Sequence, residues 1–109
     1  MTNFLDTSSE QKSPFFSVVM PTYNRGSLIE NTLRCILSQT FQDFEIVIID
    51  DGSTDNTGHI IQAIGDPRIR FITQNNSGPL MARANACDAA KGCWVAFCDS
   101  DDKWGSNYL

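Results

Sequence analysis

The sequence of 109 residues predicts a single α/β domain in which helices cover both faces of a parallel sheet. Two observations predict this fold class. Short apolar runs alternate with amphipathic helical segments in the order β-α-β-α-β-α-β, which is typical of parallel strands joined by helices. The composition, with 41% hydrophobic and 19% charged residues, argues against a disordered, collagenous or membrane-spanning chain.

The first strand and the first helix are predicted between residues 16 and 37. Phe16–Met20 is a short apolar run with β-branched residues, and Pro21–Gly26 is a loop. A helix then opens at Ser27, because Glu30 three residues later completes a capping box. The apolar face of this helix comprises Ile29, Leu33, Ile36 and Leu37.

The second strand, Glu45–Ile49, is a nearly continuous apolar run, as expected for a strand that is buried on both faces. An acidic turn, Asp50–Ser53, follows it. The next helix has an apolar side made of Ile60, Ile61 and Ile64. Gly65, with a proline two residues later, predicts the end of this helix.

The last three elements alternate in the same way. Arg70–Thr73 alternates as a third strand, and the loop Asn75–Pro79 leads into a third helix. That helix ends near Lys91–Gly92, and Trp94–Cys98 forms a fourth strand. Right-handed crossovers between parallel strands then leave few topologies.

Charge, the N-terminal segment and cysteine usage narrow the class of function. Eight basic and 13 acidic residues give a net charge of −5, which disfavours nucleic acid as a partner. Met1–Pro14 is predicted to be a flexible leader; it lacks the apolar region of a secretory signal, and no apolar run reaches the ~18 residues of a membrane-spanning helix. Neither CxxC nor zinc-finger spacing occurs, so reduced core thiols in a cytoplasmic protein are expected at Cys35, Cys87, Cys93 and Cys98.

Polar residues cluster where three predicted strands end, at Pro21–Arg25, Asp50–Ser53 and Asp99–Asp102. The carboxyl ends of parallel strands share one edge, where ligands of open α/β sheets bind. The pair Asp99-x-Asp101 offers two carboxylates to Mg²⁺ or Mn²⁺, which prefer oxygen ligands and share them with phosphates. Neither a GxGxxG fingerprint nor a P-loop is present, so a bound phosphate would depend on such a metal.

The same residues have structural alternatives. Asp50–Ser53 and Asp99–Asp102 are also typical of turns that cap a following helix. Tyr23 offers a ring on which a planar base could stack, or a packing surface. Arg83 could face a diphosphate, or could be solvated. His59, the single histidine, lies within a predicted helix and is expected to be solvent-facing or structural.

A set of motifs between Ser17 and Leu109 resembles the family 2 glycosyltransferases in order and spacing. The motifs are Ser17-Val18-Val19-Met20-Pro21-Thr22-Tyr23-Asn24-Arg25, Ser38-Gln39-Thr40-Phe41, Glu45-Ile46-Val47-Ile48-Ile49-Asp50-Asp51-Gly52-Ser53-Thr54-Asp55, Asn76-Ser77-Gly78, Ala82-Arg83, Ala90-Lys91-Gly92 and Phe97-Cys98-Asp99-Ser100-Asp101-Asp102. The resemblance implies the GT-A fold, a Rossmann-like three-layer α/β/α arrangement with a mainly parallel sheet in the order 3-2-1-4. It also implies a donor that is a nucleotide-diphospho-sugar.

The resemblance further implies roles for individual residues. Pro21, Tyr23 and Asp51 would lie around the nucleotide base, and Asp51 would bond its imide or amino edge. Arg83 would lie near the base or the diphosphate. The strand order would bring Tyr23 and Asp51 onto one cleft with Asp99.

The metal site implied by the resemblance involves the acidic turn after the fourth strand. Asp99 would approach the ribose or the metal, and Asp101 would coordinate a Mg²⁺ or Mn²⁺ that bridges the diphosphate. That metal would stabilise the nucleoside diphosphate as it leaves.

The resemblance assigns residues 15–109 to the donor-binding half of the enzyme. The acceptor site and the general base are expected beyond Leu109, so no catalytic base is assigned here and the 109-residue chain is expected to be inactive alone. The expected partners are a UDP-sugar and a glycan, lipid-linked or protein acceptor, and the full enzyme could associate peripherally with a membrane. A GT-A-like nucleotidyltransferase and a non-catalytic nucleotide- or metal-binding module are the alternatives.

Overall fold

The computed structural model describes residues 13–109, which form four strands and three helices in alternation. These are β1 (Phe16–Thr22), α1 (Gly26–Leu37), β2 (Phe44–Asp50), α2 (Thr57–Ile64), β3 (Ile69–Thr73), α3 (Pro79–Ala89) and β4 (Trp94–Phe97). Every predicted element is therefore present. Residues 1–12 of the predicted leader lie outside the described residues. Within residues 13–109, no helix is long and apolar enough to cross a membrane.

The four strands form one parallel sheet in the order β3-β2-β1-β4, which confirms the predicted fold class and strand order. β1 is central, and it pairs with β2 along its whole length, from Phe16 opposite Phe44 to Thr22 opposite Asp50. β4 is shorter and ends at Phe97. The carboxyl end of β1 therefore extends beyond the end of β4, and its last residues pair with β2 only.

Pro21 lies inside β1, whereas a loop was predicted from this residue onward. The Asp51 N–H donates to the Thr22 carbonyl, and the Cys98 N–H donates to the Val19 carbonyl. The backbone N–H and C=O groups of successive β1 residues therefore point alternately toward β2 and toward β4. Pro21 faces the β4 side together with Val19, beyond the end of β4. A proline is tolerated there because its missing N–H has no neighbouring strand to pair with.

Helices cover both faces of the sheet and bury two apolar clusters, so the arrangement has three layers. Val18, Met20, Ile46 and Ile48 pack on one face against residues of α1 and α2, including Leu33 and Ile61. Val19, Val47 and Ile49 pack on the other face against Ala82 and Ala86 of α3. Gly65 ends α2 in the left-handed conformation with φ 67°, as predicted.

A buried carboxylate ties the amino ends of the strands together. Glu45 Oε2 accepts hydrogen bonds from Ser17 Oγ at 2.6 Å and from the Lys91 N–H at 2.7 Å. Arg70 Nη1 donates to Glu45 Oε1 at 2.9 Å and to the Ala89 carbonyl at 2.7 Å. Burial alone would raise the pKa of Glu45, but these hydrogen bonds outweigh it and lower the pKa below the ordinary 4.5.

The predicted capping box at the start of α1 is wrong. α1 begins at Gly26, and neither Ser27 nor Glu30 caps it. The Gly26 N–H donates instead to Asp55 Oδ2 at 3.1 Å, from the loop before α2. A Cβ at Gly26 would lie 2.3 Å from Asn56 Oδ1, so a larger residue here would displace the Asn56 side chain.

Asn24 joins the loop after β1 to the loop after β2. Its backbone is left-handed, with φ 52°, a conformation that asparagine tolerates better than most residues. Asn24 Oδ1 accepts hydrogen bonds from the Thr54 N–H at 2.8 Å and the Asp55 N–H at 3.3 Å. The Asn24 N–H donates to Ser53 Oγ at 2.9 Å. The two loops therefore hold each other at the carboxyl edge of the sheet.

The prediction that all four cysteines lie in the core is only partly confirmed. All four are free thiols, but Cys98 alone is buried. Cys35 and Cys87 are half-buried and Cys93 is exposed, because Cys93 lies in the turn between α3 and β4 rather than on a strand.

We expect Glu45→Gln to destabilise the protein by about 2 kcal/mol, because an amide NH₂ would then face one of the donors that the carboxylate now accepts. Since the folded-state pKa of Glu45 lies below 4.5, its ionised form stabilises the fold above that pH. The contribution is lost as the pH falls through the folded-state pKa. Urea unfolding should be measured for the unaltered protein and for Glu45→Gln, at pH 7 and at decreasing pH. The difference between their free energies of unfolding should shrink in acid.

The matched control for Glu45→Gln is Glu30→Gln. Glu30 forms an exposed pair with Arg34 one helical turn away, with 3.2 Å between Oε2 and Nη2. Such pairs contribute about 0.3–0.5 kcal/mol. Equal losses of stability in the two variants would contradict the role assigned to Glu45.

We also expect Asn24→Ala to cost about 2–3 kcal/mol, because it removes two hydrogen bonds and places alanine in a left-handed conformation. Asn24→Gly should recover about 1 kcal/mol of this loss, since glycine relieves the strain without restoring the hydrogen bonds. Thermal unfolding monitored by circular dichroism measures both. The exposed Asn31 on α1 is the control, and Asn31→Ala should leave stability unchanged. Equal stability of the alanine and glycine variants would show that the left-handed conformation of residue 24 carries no strain.

Candidate functional site

A cleft of about 520 Å³ opens at the carboxyl edge of the sheet, where β1, β2 and β4 end. It is lined by Pro21, Thr22, Tyr23, Arg25, Asp51, Asn76, Gly78, Pro79, Arg83, Asp99, Ser100 and Asp101. All six residues predicted for the site, namely Pro21, Tyr23, Asp51, Arg83, Asp99 and Asp101, are among them. The expected convergence of three strand ends on one cleft is therefore observed.

Asp51 forms the floor of the cleft and is only 5% exposed. Its Oδ1 accepts hydrogen bonds from the Ser77 N–H at 2.7 Å and from Gln74 Nε2 at 2.8 Å, and its Oδ2 accepts one from the Gly78 N–H at 3.0 Å. The hydrogen bonds from Ser77, Gln74 and Gly78 lower the pKa of Asp51 despite its burial, so the carboxylate is ionised at neutral pH. A carboxylate has about four acceptor positions, which leaves one, on Oδ2, for a ligand.

Asp50 and Asp51 have different roles, although they are adjacent. Asp50 Oδ1 accepts hydrogen bonds from the Ser53 N–H and Ser53 Oγ, which closes the turn after β2. Asp50 does not line the cleft, because successive side chains of a strand point to opposite faces. Asp50 therefore has a structural role in the turn but does not cap α2, whereas Asp51 lines the cleft.

Arg83 and Asp99 face each other across the cleft. Arg83 Nη2 lies 3.6 Å from Asp99 Oδ1, and the Arg83 guanidinium lies 5.7 Å from the centre of the Phe97 ring. The Arg83 and Asp99 side chains are 43% and 63% exposed, so the pair is open to solvent. Arg83 is thus oriented toward the acidic turn rather than extended into solvent.

The other two acids of this turn are arranged differently. Asp102 Oδ2 accepts a hydrogen bond from the Asp99 N–H at 3.0 Å, so Asp102 closes the turn on itself. Asp101 is exposed and lines the cleft. Arg83 and the Asp99 N–H therefore offset part of the repulsion between three acids within four residues, and Asp101 is the carboxylate left available to a ligand.

Helix α1 holds the acidic turn from behind. Thr32 Oγ1 donates to the carbonyl of Ser100 at 2.9 Å, and both residues are buried. Cys98, just before the turn, is also buried. Burial and the nearby charges of Asp102 and Asp99 raise the pKa of the Cys98 thiol to about 12, which keeps it protonated and unreactive.

Tyr23 lines the cleft just after the end of β1. The residue is 44% exposed, so part of its surface is open to solvent. Arg25 Nη1 donates to the Tyr23 carbonyl at 3.3 Å, and Pro21 lies half-buried beside it. The arrangement permits stacking, so the packing alternative accounts for only part of the Tyr23 surface.

Several residues that build the site were missed by the sequence analysis. Asn24, Gln74 and Thr32 each position a cleft residue or loop through a side-chain hydrogen bond. Only Asn24 carried a local signal, as an asparagine in a loop between a strand and a helix. Gln74 and Thr32 act on residues 23 and 68 positions away, which no local pattern shows. His59 is exposed on α2, as expected.

The sequence model of the family described as Glycosyl transferase family 2 matches residues 17–109. One relative is WfaP of Escherichia coli, named a UDP-Glc:alpha-D-GlcNAc-diphosphoundecaprenol beta-1,3-glucosyltransferase. It is 45% identical over 89 residues, which are 81% of this chain and 36% of WfaP.

Two solved structures of glycosyltransferases resemble the fold. TarS of S. aureus in complex with UDP-GlcNAc superposes with a TM-score of 0.81 at 36% identity, over 84% of this chain and 28% of that one. The mannosyltransferase PcManGT of Pyrobaculum calidifontis, in complex with GDP-Man and Mn²⁺, gives a TM-score of 0.77 at 30% identity, over 85% of this chain and 29% of that one. The fold is thus GT-A, as expected.

The chain spans less than two fifths of the length of each of these proteins. The family match nevertheless extends from the second residue of β1 through β4 and includes every residue that lines the cleft. It favours a glycosyltransferase over the nucleotidyltransferase and the non-catalytic module. The chain belongs to glycosyl transferase family 2.

Proposed function

We propose that the cleft is the donor site of a glycosyltransferase that binds a UDP-sugar together with Mg²⁺ or Mn²⁺. The observation that carries the proposal is the placement of one ionised, partly unused carboxylate, Asp51, opposite the acidic turn of Asp99 and Asp101 in a single cleft. These two parts of the cleft match the two ends of a nucleoside diphosphate. Asp51 can accept an N–H from the base, and the acidic turn can hold a cation beside the phosphates.

The base is proposed to lie between Tyr23 and Asp51, with Pro21 beneath it. The exposed Tyr23 ring offers a stacking surface, which a base can use whatever its identity. The unused acceptor position on Asp51 Oδ2 suits the imide N–H of uracil. The structure of TarS with UDP-GlcNAc supports uridine as the first nucleotide to test.

The residues of the acidic turn fit a divalent cation. Asp99 and Asp101 supply hard oxygen donors at the cleft, and Asp101 forms no ion pair within residues 13–109. No group of three potential ligands occurs in the described part of the chain, so phosphate oxygens and water would complete the shell. That is the usual arrangement for Mg²⁺, which binds one or two carboxylates together with substrate phosphates. The Mn²⁺ in the PcManGT complex is a further support.

The cation supplies one chemical effect, which is to neutralise the charge that develops on the leaving diphosphate. The residues of this chain hold the donor. Arg83 lines the cleft near the acidic turn, where it can pair with a phosphate oxygen. Asp99 is within reach of either the cation or the ribose.

Transfer is proposed to invert the anomeric carbon, as the resemblance to the family implies, and the acids of the cleft have other roles. Asp51 holds the loop before α3, and Asp102 holds the Asp99 N–H. The general base on the acceptor hydroxyl is therefore proposed to lie outside this chain, as is the acceptor site. The acceptor is proposed to be lipid-linked, as the name of WfaP states for that enzyme. A cytoplasmic location, with peripheral membrane association of the whole enzyme, is consistent with such an acceptor.

We expect UDP to bind the chain with a Kd on the order of 0.1–1 mM in the presence of Mn²⁺. Binding should weaken sharply when the cation is removed by EDTA. Asp101→Asn should abolish most of the gain from Mn²⁺, because an amide is a poorer ligand than a carboxylate for a hard cation. Isothermal titration calorimetry measures both effects, and equal affinity in EDTA and in Mn²⁺ would contradict the metal assignment.

Two further variants test whether binding of the base can be distinguished from binding of the metal. Asp51→Asn should weaken UDP binding to the same extent with and without Mn²⁺, because Asp51 is proposed to contact the base. Asp43→Asn is the control, since Asp43 is exposed and lies before β2, at the opposite edge of the sheet from the cleft. A variant of Asp51 that changed only the Mn²⁺-dependent part would contradict its assignment to the base.

We expect no transfer at a useful rate by the 109-residue chain alone. A positioned general base contributes about 10²–10⁴-fold, and alignment of the acceptor contributes several kcal/mol more. The acids of the cleft are committed to the donor, and a carboxylate bound to a cation is a poor base at neutral pH.

The measurement is transfer from radiolabelled UDP-glucose to a lipid-linked acceptor, with WfaP as the positive control. Slow hydrolysis of the donor is the only reaction expected of this chain. Transfer at a rate comparable to that of WfaP would place the base within these 109 residues, and Asp102 would then be the first residue to replace.

A further inference from the structure

Arg83 lies beside Asp99, one of the two carboxylates proposed to hold the cation. The 3.6 Å between Arg83 Nη2 and Asp99 Oδ1 is the distance of an ion pair, and the Phe97 ring lies against the guanidinium. Both charged side chains are exposed, so the pair is weak and can separate. Arg83 also lines the cleft itself, so its side chain can reach either Asp99 or a ligand.

We infer that Arg83 is an exchangeable counter-ion, which pairs with Asp99 in the free protein and moves to the diphosphate when the donor binds. The exchange frees the Asp99 carboxylate for the divalent cation. This inference rests on the proposed function, because it takes a nucleoside diphosphate and a cation as the ligands.

The physical reason is competition between two cations for one carboxylate. A guanidinium and a divalent cation repel each other at short distance, so Arg83 paired with Asp99 weakens the binding of a cation to the same carboxylate. Diphosphate oxygens offer Arg83 a second partner of higher charge, with which it can form bidentate hydrogen bonds. Binding of the nucleotide therefore removes the competitor of the cation, and the two ligands bind with positive coupling that depends on Arg83.

No other group of the acidic turn can take this role. Asp102 is hydrogen-bonded to the backbone of Asp99, and Asp101 has no basic partner in the described part of the chain. Arg25, the other arginine of the cleft, donates to the carbonyl of Tyr23. The exchange is therefore specific to the pair formed by Arg83 and Asp99.

The test is titration of Mn²⁺ alone, without nucleotide, followed by the electron paramagnetic resonance signal of the free ion. Arg83→Gln should bind Mn²⁺ about two- to fivefold more tightly than the unaltered chain, the range that an exposed ion pair is worth. Lys91→Gln changes the net charge equally, but the exposed Lys91 side chain precedes β4 at the opposite edge of the sheet from the cleft, so this variant should bind Mn²⁺ as the unaltered chain does. Circular dichroism checks that each variant is folded.

A second measurement tests the coupling between Mn²⁺ binding and UDP binding. The factor by which Mn²⁺ tightens UDP binding should be smaller for Arg83→Gln than for the unaltered chain. The gain in Mn²⁺ affinity should also vanish when Arg83→Gln is combined with Asp99→Asn, because the carboxylate that Arg83 blocks is then absent.

The outcomes distinguish the inference from the proposed function. If Mn²⁺ binds the unaltered chain and Arg83→Gln binds it no more tightly, the counter-ion exchange is overturned and the metal site stands. A gain that persists in the Asp99→Asn background would also overturn it, since the effect would then be one of general charge. If neither the unaltered chain nor Arg83→Gln binds Mn²⁺ without nucleotide, the counter-ion exchange is overturned, whereas the metal site is decided by whether Mn²⁺ tightens UDP binding. Failure to bind UDP at all, measured in the separate titration, would overturn the donor site.

Discussion

Strand β2 holds helix α3 at both ends through two carboxylates, and the position of the cleft depends on this clamp. Glu45 and Asp51 are six residues apart, so they lie on the same face of the extended chain. Glu45 accepts the Lys91 N–H after α3, and Asp51 accepts the Ser77 and Gly78 N–H groups before it. Both carboxylates have lowered pKa values, because each is surrounded by donors, so both remain ionised at neutral pH.

The packing between these two anchors determines where Arg83 lies. Ala82 and Ala86 are the buried residues of α3, and they rest on Val47 and Ile49 of β2. Small side chains allow the helix axis to approach the sheet closely, so few rotations of α3 satisfy both the clamp and the packing. Arg83, next to Ala82, is thereby directed toward the edge where β4 ends. Packed residues that do not line the cleft thus determine the position of Arg83, which does line it.

The elements of the fold were predictable from local signals in the sequence, whereas the six cleft residues were identified by local signals together with the resemblance to a family. Apolar runs determine the strands, and parallel strands deliver their carboxyl ends to one edge. The interactions that hold the loops were not predictable. Ser27 and Glu30 had the spacing of a capping box, yet Asp55, 29 residues from Gly26, took that role. A local motif states which hydrogen bond is available, whereas the tertiary structure decides which one forms. Pro21 was predicted to begin a loop but lies in β1. This difference also comes from tertiary structure, because a proline fits at this position only since β4 has already ended.

The charge distribution explains why an acidic chain could bind an anionic ligand at this edge. The net charge is −5, and the turn after β4 alone places three acids within four residues. A diphosphate that approached this turn without a cation would meet repulsion from Asp99 and Asp101, which Arg83 only partly offsets. N–H donors of the backbone and of Gln74, rather than side-chain cations, surround the Asp51 carboxylate. On the proposed assignment, recognition of the base needs no added ion, whereas binding of the phosphates depends on one. The cation and the diphosphate would then together balance the charges of the acidic turn.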